Sequence, residues 1–79
     1  MVLAASESND GNSPARGGLT PRQLRVLRYL VAGHSDRQIA EALFISRRTT
    51  SHHVAAIMTK LGAHTRGDAV VRAVRDGLI

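Results

Sequence analysis

Closely spaced start and stop signals for helices constrain this chain more than any other feature of its sequence. Thr20-Pro21-Arg22-Gln23 has the spacing of a capping box, in which the first and last side chains each hydrogen-bond to the other residue's backbone N–H. Ser35-Asp36-Arg37-Gln38 repeats this spacing two residues after Gly33, a residue type that commonly follows the end of a helix. Ser46 and Thr65 are candidate caps for two further helices. The pattern predicts four short helices.

Apolar residues recur with helical spacing after these starts, and no segment alternates as a strand would. The clearest case is the stretch from Val54 to Leu61, whose apolar positions follow i, i+3, i+4, i+7. A short helix, the turn Phe44-Ile45-Ser46 and a longer helix form the helix-turn-helix arrangement. We therefore predict an all-α fold, a small four-helix helix-turn-helix domain with helices at residues 21–32, 36–43, 47–61 and 66–76.

The first 18 residues differ in composition from the rest. They are rich in Ser, Gly and Asn and lack an apolar repeat, so we expect a disordered segment. A tether to an upstream regulatory domain is favoured here over a simple disordered leader or expression remnant. Residues 19–79, in contrast, carry ten Lys and Arg against four Asp and Glu, a net charge of +6. The folded part is the basic part, which suits a phosphate-bearing partner.

Several classes of function are disfavoured by composition. The chain contains no cysteine, which excludes disulfides, zinc fingers and a thiol nucleophile. Neither a glycine-rich phosphate loop nor an acid–base pair is evident, so we expect no enzyme activity and no cofactor. Apolar runs fall short of the roughly 18 residues that a membrane span needs, and we expect a cytoplasmic protein.

The start of the third predicted helix is the most informative segment for function. Ser46 caps it, and Arg47 and Arg48 follow in its first turn, where positive charge opposes the helix dipole unless an anion is near. Polar residues continue to His53 before the apolar positions begin, as expected for a helix whose first half enters a DNA groove. A metal site at His52 and His53 is disfavoured, because adjacent helical side chains diverge by about 100°.

Five motifs in order along residues 19–79 resemble the LuxR/GerE-type DNA-binding domain. They are Leu19-Thr20-x-Arg22, Ala40-Glu41-x-Leu43-x-Ile45-Ser46-x-x-Thr49, His53-Val54-x-x-Ile57, Lys60-Leu61-Gly62 and Thr65-Arg66-x-x-Ala69-Val70. The resemblance implies the C-terminal output domain of a bacterial transcriptional regulator. Its second and third helices would form the helix-turn-helix, and its fourth helix would pair two subunits on a two-fold site in double-stranded DNA.

The resemblance also implies roles for individual positions. Ser51, His52 and Ala55 match positions that contact bases in the family, and Thr49, Lys60 and Arg66 match positions that contact phosphate. Together with the helix start, these residues form the predicted DNA-binding set: Ser46, Arg47, Arg48, Thr49, Ser51, His52, Ala55, Lys60 and Arg66. The predicted dimer interface comprises Val70, Val71 and Val74.

Three departures from the family pattern are evident. Ser51 and Ala55 stand where many relatives carry Lys or Arg, which removes bidentate contacts to guanine. Thr50 stands where Val is usual, so its buried hydroxyl needs a partner such as the carbonyl four residues earlier. Gln23 replaces the Glu that is usual at this position.

The alternative function is a helical protein-interaction module that contacts the transcription machinery, such as RNA polymerase.

Overall fold

The computed structural model describes residues 16–79, which form four α-helices preceded by a short 3-10 turn at Arg16–Gly18. The helices are α1 (Pro21–Val31), α2 (Asp36–Leu43), α3 (Arg47–Leu61) and α4 (Arg66–Arg75). Within this range no residue adopts a strand, and the all-α, four-helix prediction is confirmed. The first and fourth helices each end one residue earlier than predicted, because Ala32 and Asp76 serve as their C-caps.

Side-chain caps define where the helices begin. Thr20 Oγ1 accepts from the N–H of Gln23, and Gln23 Oε1 accepts from the N–H of Thr20, both at 3.1 Å. Ser35 and Gln38 form the same reciprocal pair, at 2.9 and 3.2 Å. Both predicted capping boxes are therefore present, and each satisfies two N–H groups that the helix itself leaves without partners.

The fourth helix is capped by Thr65, as predicted, but without the reciprocal bond of a capping box. Thr65 Oγ1 accepts from the N–H of Asp68 at 3.0 Å, as in the other caps. The Asp68 carboxylate, however, accepts from the N–H of His64 at 3.2 Å and not from that of Thr65. The return bond is thus shifted by one residue, which still places a negative charge at the positive end of the helix dipole.

The core lies around α3, which packs against α1, α2 and α4. Val54 and Ile57 provide its contribution to a single cluster whose other members come from the remaining helices and both ends of the fold: Leu19, Val26, Leu27, Leu30, Ile39, Ala73 and Leu78. Leu19, immediately before the first cap, is fully buried and belongs to this cluster. One small cluster therefore determines the position of α3.

The 3-10 turn packs against the end of α3, although sequence analysis assigned its residues to the linker. A Cβ built on Gly17 would lie 3.3 Å from Leu61 Cδ2 and 3.4 Å from Leu78 Cδ1, and the φ of Gly17 is +71°. Close approach and a left-handed backbone together favour glycine at this position. The described fold therefore begins before residue 19, and residues 1–15 of the expected linker lie outside the described residues.

The helix-turn-helix connection has an unusual backbone at Phe44. This residue ends α2 with a φ of +58° and a ψ of +42°, a left-handed conformation that glycine adopts more readily. Its side chain is 94% exposed, so no packing offsets the conformational cost. Ile45 follows, with its N–H donating to the Ala40 carbonyl at 3.1 Å, and Ser46 then caps α3. The turn directs α3 away from α2 within three residues.

Thr50 is the one buried polar residue described in the structure, and its hydroxyl has the partner that the sequence suggested. Thr50 Oγ1 donates to the carbonyl oxygen of Ser46 at 3.1 Å, and that oxygen also accepts the N–H of Thr50 at 3.0 Å. The side chain has no exposed surface. A hydroxyl is therefore accommodated in the core by returning its hydrogen bond to the preceding turn.

We predict that Thr50→Val changes the free energy of unfolding by less than about 1 kcal/mol, because the Ser46 carbonyl keeps its bond from the backbone N–H. Thr50→Ser keeps the hydroxyl but removes a buried methyl group, and it lowers the free energy of unfolding by about 1 kcal/mol. Urea unfolding followed by circular dichroism measures both variants. A greater loss for Val than for Ser would contradict this account of the buried hydroxyl.

Candidate nucleic-acid interface

The first half of α3 is exposed on the side opposite its core contacts. Thr50, Val54 and Ile57 are buried, and they lie along one stripe of the helix. The residues that sequence analysis assigned to DNA on this helix are all exposed: Ser46, Arg47, Arg48, Thr49, Ser51, His52 and Ala55. At 100° per residue, Arg48, Ser51 and Ala55 fall within one outward face. The structure therefore brings most of the predicted set together on a single accessible surface.

This surface carries positive charge at the start of the helix. Arg47 and Arg48 occupy the first turn, which contains no acidic residue, and neither forms an ion pair with another described residue. The Ser46 hydroxyl accepts the N–H of Thr49 and donates to the Thr49 hydroxyl, both at 2.9 Å. A capped helix N-terminus flanked by two uncompensated guanidinium groups favours an anionic ligand.

Asp36, which the sequence pattern placed only within the second capping box, reaches this surface. Its Oδ2 accepts from the Ser51 hydroxyl at 3.2 Å, and its Oδ1 forms an ion pair with the Arg66 guanidinium. Arg66 also donates to the carbonyl oxygen of His34 at 3.2 Å. Arg66, predicted to contact phosphate, thus begins α4 beside the N-terminus of α2. These contacts span 15 and 30 residues, so local spacing could not reveal them.

Lys60 lies at the far end of α3, exposed, and contacts the start of the fold. Its Nζ donates to the Gly18 carbonyl at 3.0 Å and to Gln23 Oε1 at 2.8 Å. Gln23 Oε1 therefore accepts from both the N–H of Thr20 in the α1 cap and the ammonium group of Lys60. An ammonium group has three N–H donors, so one is free for another acceptor.

The outer face of α4 exposes two valines. Val70 is half-buried against the core, whereas Val71 and Val74 are each 60% exposed. Arg72 Nε donates to Asp68 Oδ2 at 3.0 Å on the side facing α3, and this bond is the main reason that the pKa of Asp68 is lowered. The predicted dimer residues therefore divide between the core and an exposed surface.

Two further findings concern the described part of the chain. It contains no group of three His, Asp or Glu side chains placed to hold a metal ion. None of its helices has both the length and the apolar character needed to cross a bilayer.

Comparison with known sequences identifies the family. Residues 18–73 match the family described as bacterial regulatory proteins, luxR family. The chain belongs to this family. The matched range covers the end of the 3-10 turn, the first three helices and most of α4. The resemblance noted from the five sequence motifs is thereby confirmed.

Relatives of this luxR-family domain are regulators of transcription by name. The transcriptional regulatory protein DegU of Brevibacillus brevis is 39% identical over 61 residues, which cover 77% of this chain and 26% of DegU. A putative transcriptional regulator of Pseudomonas aeruginosa is 36% identical over 73 residues, covering 92% of this chain and 35% of that protein. LiaR of Bacillus subtilis is 32% identical over 78 residues, 99% of this chain and 37% of LiaR.

The luxR-family domain spans between 26% and 37% of the length of these three relatives. The larger part of each relative therefore lies outside the region of similarity. The family description places this chain among the bacterial regulatory proteins, and the names of these three relatives describe regulators of transcription.

His53 adjoins the candidate interface and titrates differently from a free histidine. It is half-buried between the exposed and packed faces of α3. Burial lowers the pKa of His53, and the positive charges of Arg22 and His52 lower it further. The imidazole is thus held in its neutral form to a lower pH than in the unfolded chain, where the pKa is about 6.5.

We predict that the free energy of unfolding decreases as the pH falls below the unfolded-state pKa of His53, because the unfolded chain then binds the proton more readily than the folded one. The decrease is complete once the pH is below the lowered pKa of the folded state. His53→Gln removes this contribution. Unfolding curves across this pH range give the free energy of unfolding of each protein. The contributions of other titrating groups cancel in the difference between the two. Parallel pH profiles would contradict the prediction.

Proposed function

We propose that this luxR-family domain binds double-stranded DNA sequence-specifically in transcriptional regulation, with the first half of α3 in the major groove. The observation that carries the proposal is the exposed start of α3, where Arg47 and Arg48 have no acidic partner among the described residues. Fixed positive charge at a helix end of this kind attracts the phosphate backbone. Family membership and the names of the relatives support the same function. Binding to bacterial DNA would place the protein in the cytoplasm.

Within this proposal, the exposed side chains of α3 divide by chemistry. Ser51, His52 and Ala55 contact base edges, with the Ala55 methyl available to a thymine methyl group. The phosphate contacts come from the hydroxyls and cations around them: Ser46, Arg47, Arg48, Thr49, Lys60 and Arg66. Lys60 and Arg66 retain N–H donors beyond those used in their internal bonds, because an ammonium has three and a guanidinium five.

We expect the double variant Arg47→Ala/Arg48→Ala to weaken binding to every duplex, because it removes charge contacts and not base contacts. The slope of log affinity against log salt should fall by about 0.9 for each phosphate that the variant no longer neutralises. His52→Ala should instead reduce the difference between preferred and other sequences. Titration of labelled duplexes at several salt concentrations measures both effects.

Arg28→Ala is the matched control, since it removes one exposed cation from α1, outside the proposed surface. Its salt slope should equal that of the unmodified protein. An unchanged slope in the double variant, or a full-size change in the control, would contradict the proposed interface.

Dimerisation through α4 completes the proposal. Val71 and Val74 expose 60% of their surface each on a helix whose other face is packed, and an exposed apolar pair of this kind favours a self-complementary contact. Two copies joined there would place two α3 helices on adjacent half-sites, as in other helix-turn-helix dimers.

We predict that Val71→Ser/Val74→Ser lowers affinity for a duplex with two half-sites by about tenfold or more, since burying a valine contributes roughly 1.5 kcal/mol. Affinity for a single half-site should not change. Gel-shift titrations with the two duplexes measure this difference. Equal losses on both duplexes would indicate that α4 acts on the fold and not on pairing.

The alternative is a protein-interaction module that contacts the transcription machinery, such as RNA polymerase. A shallow depression of about 320 Å³ on the α1 side favours this alternative. The depression is lined by Arg25, Arg28, Tyr29, Ala32 and His34. Tyr29 and His34 pack edge to face there, with ring centroids 5.3 Å apart. Such a module would show little dependence on salt or on DNA sequence in the titrations above.

A further inference from the structure

The hydrogen bond between Ser51 and Asp36 has only one direction available to it. Ser51 Oγ lies 3.2 Å from Asp36 Oδ2, and the other oxygen of this carboxylate is in an ion pair with Arg66. An ionised carboxylate only accepts hydrogen bonds, so the Ser51 hydroxyl must be the donor. A serine hydroxyl has one hydrogen and two lone pairs. With the hydrogen directed to Asp36, only lone pairs face outward.

The Asp36 carboxylate is positioned by two helices, α2 and α4. Asp36 is the first residue of α2, directly after the capping box residue Ser35. Arg66, the first residue of α4, donates to it and to the carbonyl oxygen of His34 at 3.2 Å. The Asp36 side chain is only 27% exposed. The acceptor that orients Ser51 on α3 is therefore a partly buried carboxylate that is itself in an ion pair with Arg66.

We propose that Asp36 is a specificity-determining residue, which makes Ser51 a pure hydrogen-bond acceptor toward DNA. The inference rests on the proposed function and specifies the base chemistry of its site. In the major groove, the exocyclic amino groups of cytosine (N4) and adenine (N6) are donors, whereas guanine O6 and thymine O4 are acceptors. Ser51 then accepts from an amino group and is repelled by a carbonyl oxygen.

Neighbouring positions leave this polarity undisturbed. Ala55 lies one turn further along the same exposed face and has no hydrogen-bonding group. Arg48, one turn before Ser51, is exposed and donates only. Among Arg48, Ser51 and Ala55, Ser51 is thus the residue that can accept a hydrogen bond from a base; His52, the other proposed polar base contact, points about 100° away around the helix.

The test begins with a duplex selected from a randomised library by the unmodified protein. Each base pair is then replaced by analogues that lack either the major-groove amino group or the major-groove carbonyl oxygen, and affinities are measured for the unmodified protein, Ser51→Ala and Asp36→Ala. We expect one base pair at which loss of the amino group weakens binding by about two- to tenfold, the range for a single hydrogen bond. Loss of the carbonyl there has no such effect.

Ser51→Ala should lose this dependence on the amino group at that same base pair. In Asp36→Ala the Ser51 hydroxyl can still accept but is also free to donate, so a base with a carbonyl oxygen in place of the amino group should be tolerated better than by the unmodified protein. Asp36→Ala also removes a negative charge, which raises affinity for all duplexes, so ratios are compared within each protein. Glu41→Ala is the matched control, because Glu41 is an exposed acid on α2 whose ion pair is with Arg37, at 3.5 Å, and not with α3. It should raise affinity for all duplexes and leave the dependence on the amino group intact.

Circular dichroism establishes that each variant is folded. If Asp36→Ala does not fold, Ser51→Ala with the analogue duplexes still tests the polarity, because Ser51 is exposed. Dependence on a carbonyl at the Ser51-sensitive base pair, or an Asp36→Ala profile equal to that of the unmodified protein, would overturn the inference alone. Loss of salt-dependent, sequence-dependent binding by the unmodified protein would instead overturn the proposed function.

Discussion

Burial of one stripe of α3 against the other three helices is the interaction on which the rest of the structure depends. Thr50, Val54 and Ile57 form this stripe, and α1, α2 and α4 all pack against α3. Because a helix turns by 100° per residue, burying these side chains sends Arg48 and Ser51 outward. The candidate DNA-binding face is therefore the reverse side of the core, and the same packing that stabilises the domain also orients its functional residues.

Electrostatics divide this face into two parts. At the start of α3, Arg47 and Arg48 carry charge that no described acidic residue balances. One turn later, Asp36 places a carboxylate against Ser51 and pairs with Arg66. In the proposed function, general attraction to phosphate and selection among bases therefore belong to different side chains on one helix. Asp36 contacts the Ser51 hydroxyl and forms no ion pair with Arg47 or Arg48.

Local contacts were predictable, and contacts between distant segments were not. The caps at Thr20 and Ser35 depend on a spacing of three residues and match the structure closely, with helix ends shifted by at most one residue. Lys60 shows the opposite case, since its bonds to Gly18 and Gln23 join segments 42 and 37 residues apart. The inclusion of the 3-10 turn in the fold could not be predicted either, because that turn consists mainly of glycine and lies against Leu61 and Leu78, which are distant from it along the chain.

By itself the sequence determined four helices, their caps, the helix-turn-helix order and the basic, polar start of α3. Each of these follows from the residue types within one or two turns, where hydrogen-bond and side-chain spacing are set by the helix itself. Tertiary structure alone decided that Asp36 meets Ser51 and Arg66, and that Val71 and Val74 stay exposed while Val70 packs inward. Those outcomes depend on how helices from separate parts of the chain pack together. A local sequence pattern carries no information about which distant side chains will meet.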